Sequence, residues 1–206
     1  MDSKRVLDTI LAIGKRIEED KDFLTELDNV IGDGDHGINM ARGFHMVEEK
    51  LPPLEGKDIG TLLKTTGMTL VSTVGGASGP LYGTAFMKAG MVMAGKEEMS
   101  LEDFFVCMDA AIEGVKMRGK GDKGEKTMLD AMIPALGAMK ASASEGADTK
   151  TALKAGVAAS KEGVEYTKTI IATKGRASYV GERSIGHQDP GATSFTDMLE
   201  VICEVF

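Results

Sequence analysis

The sequence predicts an all-α protein, an antiparallel barrel or bundle of eight helices with its functional site in loops at one end. Apolar residues recur at helical spacing along almost the whole chain, as at Val6, Ile10, Ile13 and Ile17. No run of alternating polar and apolar residues, and no succession of strand and helix patterns, interrupts this periodicity. Helices of this length joined by loops favour a bundle, because each one must bury an apolar face against its neighbours.

The first three helices are predicted from apolar spacing and from the residues that end them. The first carries Val6 to Ile17, and the second covers Asp22 to Val30. The third runs from Ile38 to Lys50 and stops before Pro52–Pro53, because a residue that precedes proline disfavours helical backbone. Counting the first two helices as one interrupted element brings the total to eight.

Capping residues define the next three helices. Asp58 is expected to cap a helix that breaks at Gly75–Gly76. Pro80 is expected as the first residue of the following helix, where its missing N–H has no partner to lose. Ser100 with Asp103 resembles a capping box at the start of the sixth helical stretch, with Asp in place of the usual Glu.

The remaining helices are predicted at Thr127 to Ala143, Thr149 to Ala172 and Ala192 to Val205. Thr127 is expected to cap the first of them, and Asp189–Pro190–Gly191 is a turn and cap signal before the last. The chain has 14 methionines and only 5% aromatic residues, a composition that suits the filling of gaps between packed helices.

The length suits one soluble domain, or at most two small ones, and a single domain over residues 1–206 is expected. The net charge of −8 opposes binding to nucleic acids and to anionic membranes, so neither is an expected partner. No signal peptide and no membrane span is expected, and a cytoplasmic location follows. Cys107 and Cys203 lie in apolar stretches and are expected to be buried thiols.

Four connections are longer than the rest and rich in glycine and polar residues: 31–37, 75–79, 118–126 and 174–191. In an up-and-down bundle every second connection lies at the same end, so these four loops can share one end if the first two helices behave as one interrupted element or an extra turn. Because loops on a rigid scaffold commonly carry function, this end is the expected position of the site.

Three acidic residues, Asp28, Asp33 and Asp35, lie within one short segment, with Gly32 and Gly34 between them. Carboxylates this close repel one another unless a cation separates them, and hard oxygen ligands select Mg²⁺, Ca²⁺ or Mn²⁺. The segment lacks the acidic twelfth residue of an EF-hand. The competing interpretation is a solvated acidic turn that caps a helix, and the metal site is favoured over it.

Two phosphate-binding patterns occur in part and are rejected. Gly32, Gly34 and Gly37 satisfy G-x-G-x-x-G, but no strand precedes them and the acidic residues would repel a bare pyrophosphate. The segment from Gly119 to Thr127 approaches a Walker A motif, but Glu125 intrudes and again no strand leads in. Divalent ions between carboxylates and phosphates would resolve the first conflict.

The other loops supply candidates for anion binding. Ala77 and Ser78 could present amide groups and a hydroxyl to a phosphate, although a flexible helix–helix turn is an equal alternative. Arg176 is the best candidate for a phosphate clamp, because a guanidinium group matches phosphate in bidentate fashion. Arg183 is interpreted as a surface residue.

The four loop motifs occur together and in order: DNVIGDGDHG, GGASGPLYG, GEKTMLD and GRASYVGERSIGHQDPG. In combination they resemble the nucleotide-binding L subunits of phosphotransferase-dependent dihydroxyacetone kinases, over essentially the whole chain. The departure is Glu125, where the family usually has Asp. The chain shows no second domain that could hold a ketone, which favours the stand-alone subunit over the fused ATP-dependent kinases.

The resemblance implies an eight-helix barrel whose loops hold ADP and two Mg²⁺ ions at one end. It implies that Asp28, Asp33 and Asp35 are the metal ligands. Phosphoryl transfer needs positioning and charge neutralisation, which two Mg²⁺ ions and Arg176 as the catalytic residue would supply. The nucleotide contacts that the resemblance implies are His36, Gly37, Ile38, Asn39, Ala77, Ser78, Gly119, Met128, Arg176, Asp189, Pro190 and Gly191.

The resemblance also implies a reaction. ADP stays bound as a coenzyme, a phosphohistidine on a multiphosphoryl-transfer (M) subunit converts it to ATP, and the γ-phosphate passes to dihydroxyacetone held covalently on the K subunit. A homodimer is an open alternative for the assembly. Two other functions also stay open: an ATP-exchanging kinase module for another acceptor, and a non-catalytic nucleotide-binding regulator.

Overall fold

The computed structural model describes residues 1–206, and the all-α prediction is confirmed. The nine α-helices are α1 (Ser3–Glu19), α2 (Lys21–Ile31), α3 (His36–Lys50), α4 (Ile59–Thr73), α5 (Ser78–Val92), α6 (Leu101–Gly119), α7 (Leu129–Ser144), α8 (Thr149–Thr167) and α9 (Pro190–Val205). Short 3₁₀ segments span Pro52–Leu54 and Arg176–Ser184. The one β-type pairing is an isolated bridge between Asp2 and Glu98. Asp20 alone separates α1 from α2 along the chain.

The chain divides into two compact units. One comprises Met1–Glu18 and Asn39–Lys120, and in it α5 packs against both α4 and α6. The other comprises Glu19–Ile38 and Gly121–Phe206, and in it α7 packs against α8 while α2, α7 and α8 all contact α9. The single domain over residues 1–206 stays a prediction.

Close helix packing in the first unit depends on a residue without a side chain. A Cβ atom on Gly67 of α4 would lie 2.6 Å from the carbonyl oxygen of Gly83 on α5. That separation is shorter than any real contact, so the two helix backbones approach as closely as they do because glycine occupies position 67. Substitution there would force the two helices apart.

Five predicted helix ends are wrong by two or more residues. α3 begins at His36 rather than Ile38, and α9 begins at Pro190 rather than Ala192. α5 begins at Ser78 rather than Pro80, because the first four N–H groups of a helix need no partner and proline is tolerated anywhere among them. α7 begins at Leu129 rather than Thr127. α8 ends at Thr167 rather than Ala172, since the N–H groups of the next two residues bond to carbonyls three residues back and tighten the last turn.

The two cysteines lie in the interior of the protein. Cys107 and Cys203 are both buried and unpaired, as predicted. Burial raises the pKa of the Cys107 thiol to about 12, so this group stays protonated at neutral pH. None of the helices combines the length and the apolar character that crossing a membrane requires.

The predicted capping box at the start of α6 is confirmed. The Ser100 hydroxyl accepts the N–H of Asp103 at 3.0 Å, and the Asp103 carboxylate accepts the N–H of Ser100 at 3.0 Å. Lys96 also donates to Asp103 at 2.5 Å. This lysine and the Ser100 N–H hold the pKa of the Asp103 carboxyl at about 2.

We expect Asp103→Ala to destabilise the protein by about 1 kcal/mol, the usual cost of a lost helix cap. Because the folded-state pKa lies below the usual value, the stabilisation is complete above about pH 4 and is lost as the pH falls towards 2. Urea unfolding at pH 7 and at pH 3 measures both effects. Glu102→Ala, which removes an exposed acidic residue from the same helical turn, is the matched control and should leave stability nearly unchanged.

Candidate functional site

The three carboxylates of the predicted metal site lie together at the end of α2. One oxygen atom from each of Asp28, Asp33 and Asp35 lies within 4.8 Å of the other two. Asp28 is buried, Asp35 is half-buried and Asp33 is exposed. The cluster is therefore anchored in the protein at one carboxylate and open to solvent at another. A cation can approach it from the open side.

Backbone hydrogen bonds hold the buried carboxylate in place. The Oδ2 atom of Asp28 accepts the N–H groups of Asp35 at 2.9 Å and of His36 at 3.1 Å. The loop after α2 is thus folded around the Asp28 side chain, so the carboxylate both orders the loop and forms part of the cluster. These two bonds occupy one oxygen and fix the direction of the other.

The loop needs glycine at two positions. A Cβ atom on Gly32 would lie 1.9 Å from Asp28 Oδ1, and one on Gly34 would lie 2.0 Å from Asn29 Oδ1. Gly34 also has a φ of +74°, in the left-handed region that side chains disfavour. The two glycines between the acidic residues therefore allow the chain to turn tightly enough to bring the carboxylates together.

We expect Gly34→Ala to destabilise the protein by about 1–3 kcal/mol and to reduce its capacity to hold a ligand at the acidic cluster. Strain from the positive φ and the close contact with Asn29 both contribute. Gly56→Ala is the matched control, since Gly56 has a φ of +85° but its added Cβ would meet nothing within 4 Å. Thermal unfolding of both variants separates the two causes. Equal melting temperatures would contradict the proposed contact.

The side chain of His36 is anchored in the protein. Its Nε2 atom lies 2.9 Å from the Ser194 hydroxyl of α9, and the residue is buried. Burial lowers the pKa of His36 to about 4 against the opposing effect of the Asp28 carboxylate, so the imidazole is neutral at pH 7. The contact fixes the start of α3, directly after the acidic loop, to α9.

The residues after His36 differ in exposure. Gly37 packs against α2, where a Cβ atom would lie 2.0 Å from the Lys21 carbonyl oxygen. Ile38 is exposed to 51%. The Asn39 side chain is buried and accepts a hydrogen bond from Arg42 at 2.7 Å. Of the predicted nucleotide contacts in this segment, only Ile38 presents a largely exposed side chain.

Arg176 lies beside the acidic cluster. It is the first residue of the 3₁₀ segment, and its Nε atom lies 3.1 Å from Asp33 Oδ2. The Arg176 side chain is 66% exposed, so the ion pair contributes little to stability. The structure thus brings the predicted phosphate clamp and the predicted metal ligands together in one unit.

The turn before α9 forms a helix cap, as predicted. Asp189 is the N-cap residue, its carboxylate accepts the N–H of Ala192 at 2.7 Å, and Pro190 is the first residue of the helix. Burial among protein atoms raises the pKa of Asp189 to about 7, and the nearby Asp130 and Asp28 charges act in the same direction. Gly191 lies next to Met128, which is itself buried.

The remaining predicted contacts lie in the first unit. Ala77 is exposed and immediately precedes α5, whose first residue is Ser78. Gly119 is the last residue of α6 and is followed by Lys120, which has a φ of +50°. The first amide groups of α5 therefore lie in the loop 75–79, which the sequence predicts to contact phosphate.

Two buried charged residues were not predicted as part of the site. Asp130 is fully buried, and its carboxylate accepts the N–H groups of Gly124 at 2.5 Å and of Thr127 at 2.8 Å. Lys126 is 1% exposed, and its ammonium group donates only to backbone carbonyls. This arrangement is unlike that of a P-loop lysine, in agreement with the rejected Walker A interpretation. The Thr127 hydroxyl accepts the N–H of Leu129 at 3.2 Å, but the N-cap residue of α7 is Met128, so the predicted cap at Thr127 is wrong.

Glu125, the departure from the family pattern, has a structural role. Its carboxylate accepts the N–H of Asp122 at 2.6 Å and lies 3.6 Å from the Lys174 ammonium. Its backbone carbonyl accepts the N–H of Thr173. The longer acidic side chain therefore connects the loop before α7 to the segment that leads to Arg176.

The chain is similar to known proteins over nearly its whole length. The family described as the DAK2 domain matches residues 30–204. The PEP-dependent dihydroxyacetone kinase ADP-binding subunit DhaL of Escherichia coli K12 is 43% identical over 198 residues, which are 96% of this chain and 94% of that protein. The PTS-dependent counterpart of Lactococcus lactis is 40% identical over 200 residues, covering 96% of each chain.

More distant relatives contain the domain as part of a longer chain. Human triokinase/FMN cyclase is 32% identical over 206 residues, covering 98% of this chain but 34% of that protein. The crystal structure of the dihydroxyacetone kinase of C. freundii superposes with a TM-score of 0.75 at 25% identity, over 97% of this chain and 34% of that one. The resemblance drawn from the four loop motifs is thereby confirmed, and the chain belongs to the DAK2 domain family.

Proposed function

We propose that this chain is the ADP-binding subunit of a PEP-dependent dihydroxyacetone kinase. In this proposal ADP remains bound as a coenzyme and is phosphorylated by a partner, and the γ-phosphate then passes to dihydroxyacetone on a K subunit. The observation that carries the proposal is the cluster of three carboxylates with Arg176 beside it. The match along almost the full length of ADP-binding subunits from two bacteria supports it.

The acidic cluster fits a divalent cation. Its donors are hard carboxylate oxygens within 4.8 Å of one another, which suits Mg²⁺ better than Zn²⁺. Three carboxylates and one exposed arginine leave an excess of negative charge that would repel a polyphosphate. We therefore propose that Asp28, Asp33 and Asp35 hold Mg²⁺, and that two ions are bound. When bound, Mg²⁺ would neutralise phosphate charge and polarise the phosphoryl group.

Arg176 is proposed to contact the phosphates. Its guanidinium group is exposed, it is already placed next to Asp33, and its planar set of donors matches phosphate oxygens. Charge accumulates on the oxygens around the transferring phosphorus atom, and a fixed guanidinium group stabilises that charge. This makes Arg176 the catalytic residue of the chain.

The turn at Asp189–Pro190–Gly191 and the neighbouring Met128 are proposed to contact the nucleotide. Gly191 leaves room beside Met128, whose thioether side chain suits the face of a base. The start of α3, from His36 to Asn39, contributes its helix N-terminus. Contacts from Ala77, Ser78 and Gly119 stay predictions of the family resemblance.

The proposed partners supply two groups that are not assigned to this chain, a base for the acceptor hydroxyl and a phosphoryl donor. No residue of the site is assigned as the base for the hydroxyl of the acceptor, so that group is proposed to come from the K subunit. The phosphoryl donor is proposed to be a phosphohistidine on the M subunit of the phosphotransferase system. A cytoplasmic location is proposed together with these partners, and a homodimer remains a prediction.

Two measurements test the proposed function. Mass analysis of the ligand released on denaturing the purified protein should find ADP at close to one molecule per chain. Incubation with K subunit, dihydroxyacetone, and M subunit kept phosphorylated by PEP through the phosphotransferase system should then yield dihydroxyacetone phosphate without added ATP. Absence of any product would leave a nucleotide-binding regulator as the better account. A protein that exchanges added ATP freely and phosphorylates another acceptor would favour the ATP-exchanging kinase module.

A further inference from the structure

Lys126 is a buried charge that the proposed reaction does not use. The residue is 1% exposed and lies in the loop between α6 and α7. Its φ of +61° is in the left-handed region, which residues other than glycine adopt uncommonly. A buried ammonium group in a strained backbone conformation requires a compensating role, either in folding or in function.

The partners of the ammonium group are all backbone carbonyls from one segment. Lys126 donates to the carbonyl of Thr167, which is the last residue of α8, and to that of Ile170 at 3.4 Å. It also donates to the carbonyl of His187 at 2.5 Å. The first two carbonyls lie where the chain leaves α8, and the third lies where it returns to α9. The ammonium group thus bridges the two ends of the loop 168–189.

Other hydrogen bonds close the same loop. The Gly186 N–H donates to the Lys168 carbonyl at 2.7 Å, and the Asp189 N–H donates to the Thr167 hydroxyl at 3.0 Å. Holding the two ends of a loop together limits the positions that its middle residues can reach. The middle of this loop carries Arg176, and its end is the turn before α9.

Electrostatics explain why a lysine occupies this position. Burial lowers the pKa of Lys126, while Asp189 and Asp130 oppose that effect and favour the charged form. The carbonyls at the C-terminus of α8 have no helical partners and carry partial negative charge. A cation beside them satisfies several acceptors at once, which a neutral side chain of the same length could not do.

We propose that Lys126 is a positioning residue, whose ammonium group joins the two ends of the loop 168–189 and thereby fixes Arg176 at the acidic cluster. The inference rests on the proposed function, because Arg176 must act on the phosphates for its position to matter. Lys126 itself contacts no reacting atom in this account.

A double-mutant cycle with Arg176 tests the proposal. We expect Lys126→Met to lower the rate of phosphoryl transfer by about 10- to 100-fold in the otherwise unchanged protein, as expected when a catalytic group is displaced by about 1 Å. In an Arg176→Ala background the same substitution should lower the rate by less than about 3-fold, because the group it positions is already absent. Effects that multiply fully in the double variant would overturn the proposal.

Lys126→Arg is the second variant, in case Lys126→Met does not fold. It keeps the positive charge but cannot direct one ammonium group at three carbonyls. Its effect should likewise disappear in the Arg176→Ala background. Hydrogen exchange adds an independent measurement, and faster exchange confined to residues 168–189 is expected. An unchanged exchange rate in that loop would overturn the proposal. If Arg176→Ala alone leaves phosphoryl transfer unchanged, the proposed function fails instead.

Discussion

Purified Asp33→Ala protein is expected to contain no ADP and to transfer no phosphoryl group, although its helical content should equal that of the unchanged protein. Asp33 is the most exposed member of the acidic cluster, so its removal costs the fold little. Loss even of an outer-shell partner commonly weakens metal binding by about 10- to 100-fold. If Asp33 is a direct ligand, as proposed, its loss should weaken binding of the Mg²⁺–nucleotide complex by at least about 100-fold.

A bound-nucleotide assay beside circular dichroism measures this result. Glu26→Ala is the matched control, because Glu26 is an exposed acidic residue of α2 outside the cluster. Both substitutions remove one negative charge from the same region, so a general change in surface charge would affect both alike. ADP retained at full occupancy in folded Asp33→Ala protein would refute the metal role of this residue.

Arg176→Ala is expected to lower phosphoryl transfer by about 10²- to 10³-fold, the usual cost of removing one group that stabilises transition-state charge. The fold should be unaffected, because the side chain is 66% exposed and its pair with Asp33 lies at the surface. Retention of ADP should decrease much less than the rate, since the acidic cluster remains. The rate of transfer from phosphorylated M subunit, measured at saturating partner, reports the effect.

Arg183→Ala separates a specific role of Arg176 from the charge of its segment. Arg183 is an exposed arginine in the same 3₁₀ segment and was interpreted from sequence as a surface residue. Its removal should change the rate less than about 3-fold if screening limits the influence of exposed charges. Similar losses in the two variants would mean that the positive charge of the loop, rather than the placement of Arg176, matters.

The sequence predicted most helices because their signals are local. Apolar spacing located α1, and capping residues such as Asp58, Ser100 and Asp189 marked helix starts that the structure confirms. Helix ends were less predictable. The end of α8 at Thr167 depends on a loop that closes through residues far along the chain, which no short window of sequence contains.

The site was predictable to the extent that its residues are close in sequence. Asp28, Asp33 and Asp35 lie on one turn with the glycines that this turn requires, so their proximity followed from spacing alone. The partner of His36 on α9 and the carbonyl partners of Lys126 were not predictable, because tertiary packing brings them together. The only signal in the sequence was that Lys126 lies in a glycine-rich turn. After the Walker A interpretation was rejected, the sequence offered no other role for this lysine.

Removal of divalent cations from the purified protein tests the central claim most directly, namely that a cation joins the acidic cluster to a nucleotide diphosphate. After treatment with EDTA and dialysis, mass analysis should find that ADP has left the protein, and rebinding of ADP should require added Mg²⁺. ADP that remains bound at full occupancy after the cations have been removed would contradict the account.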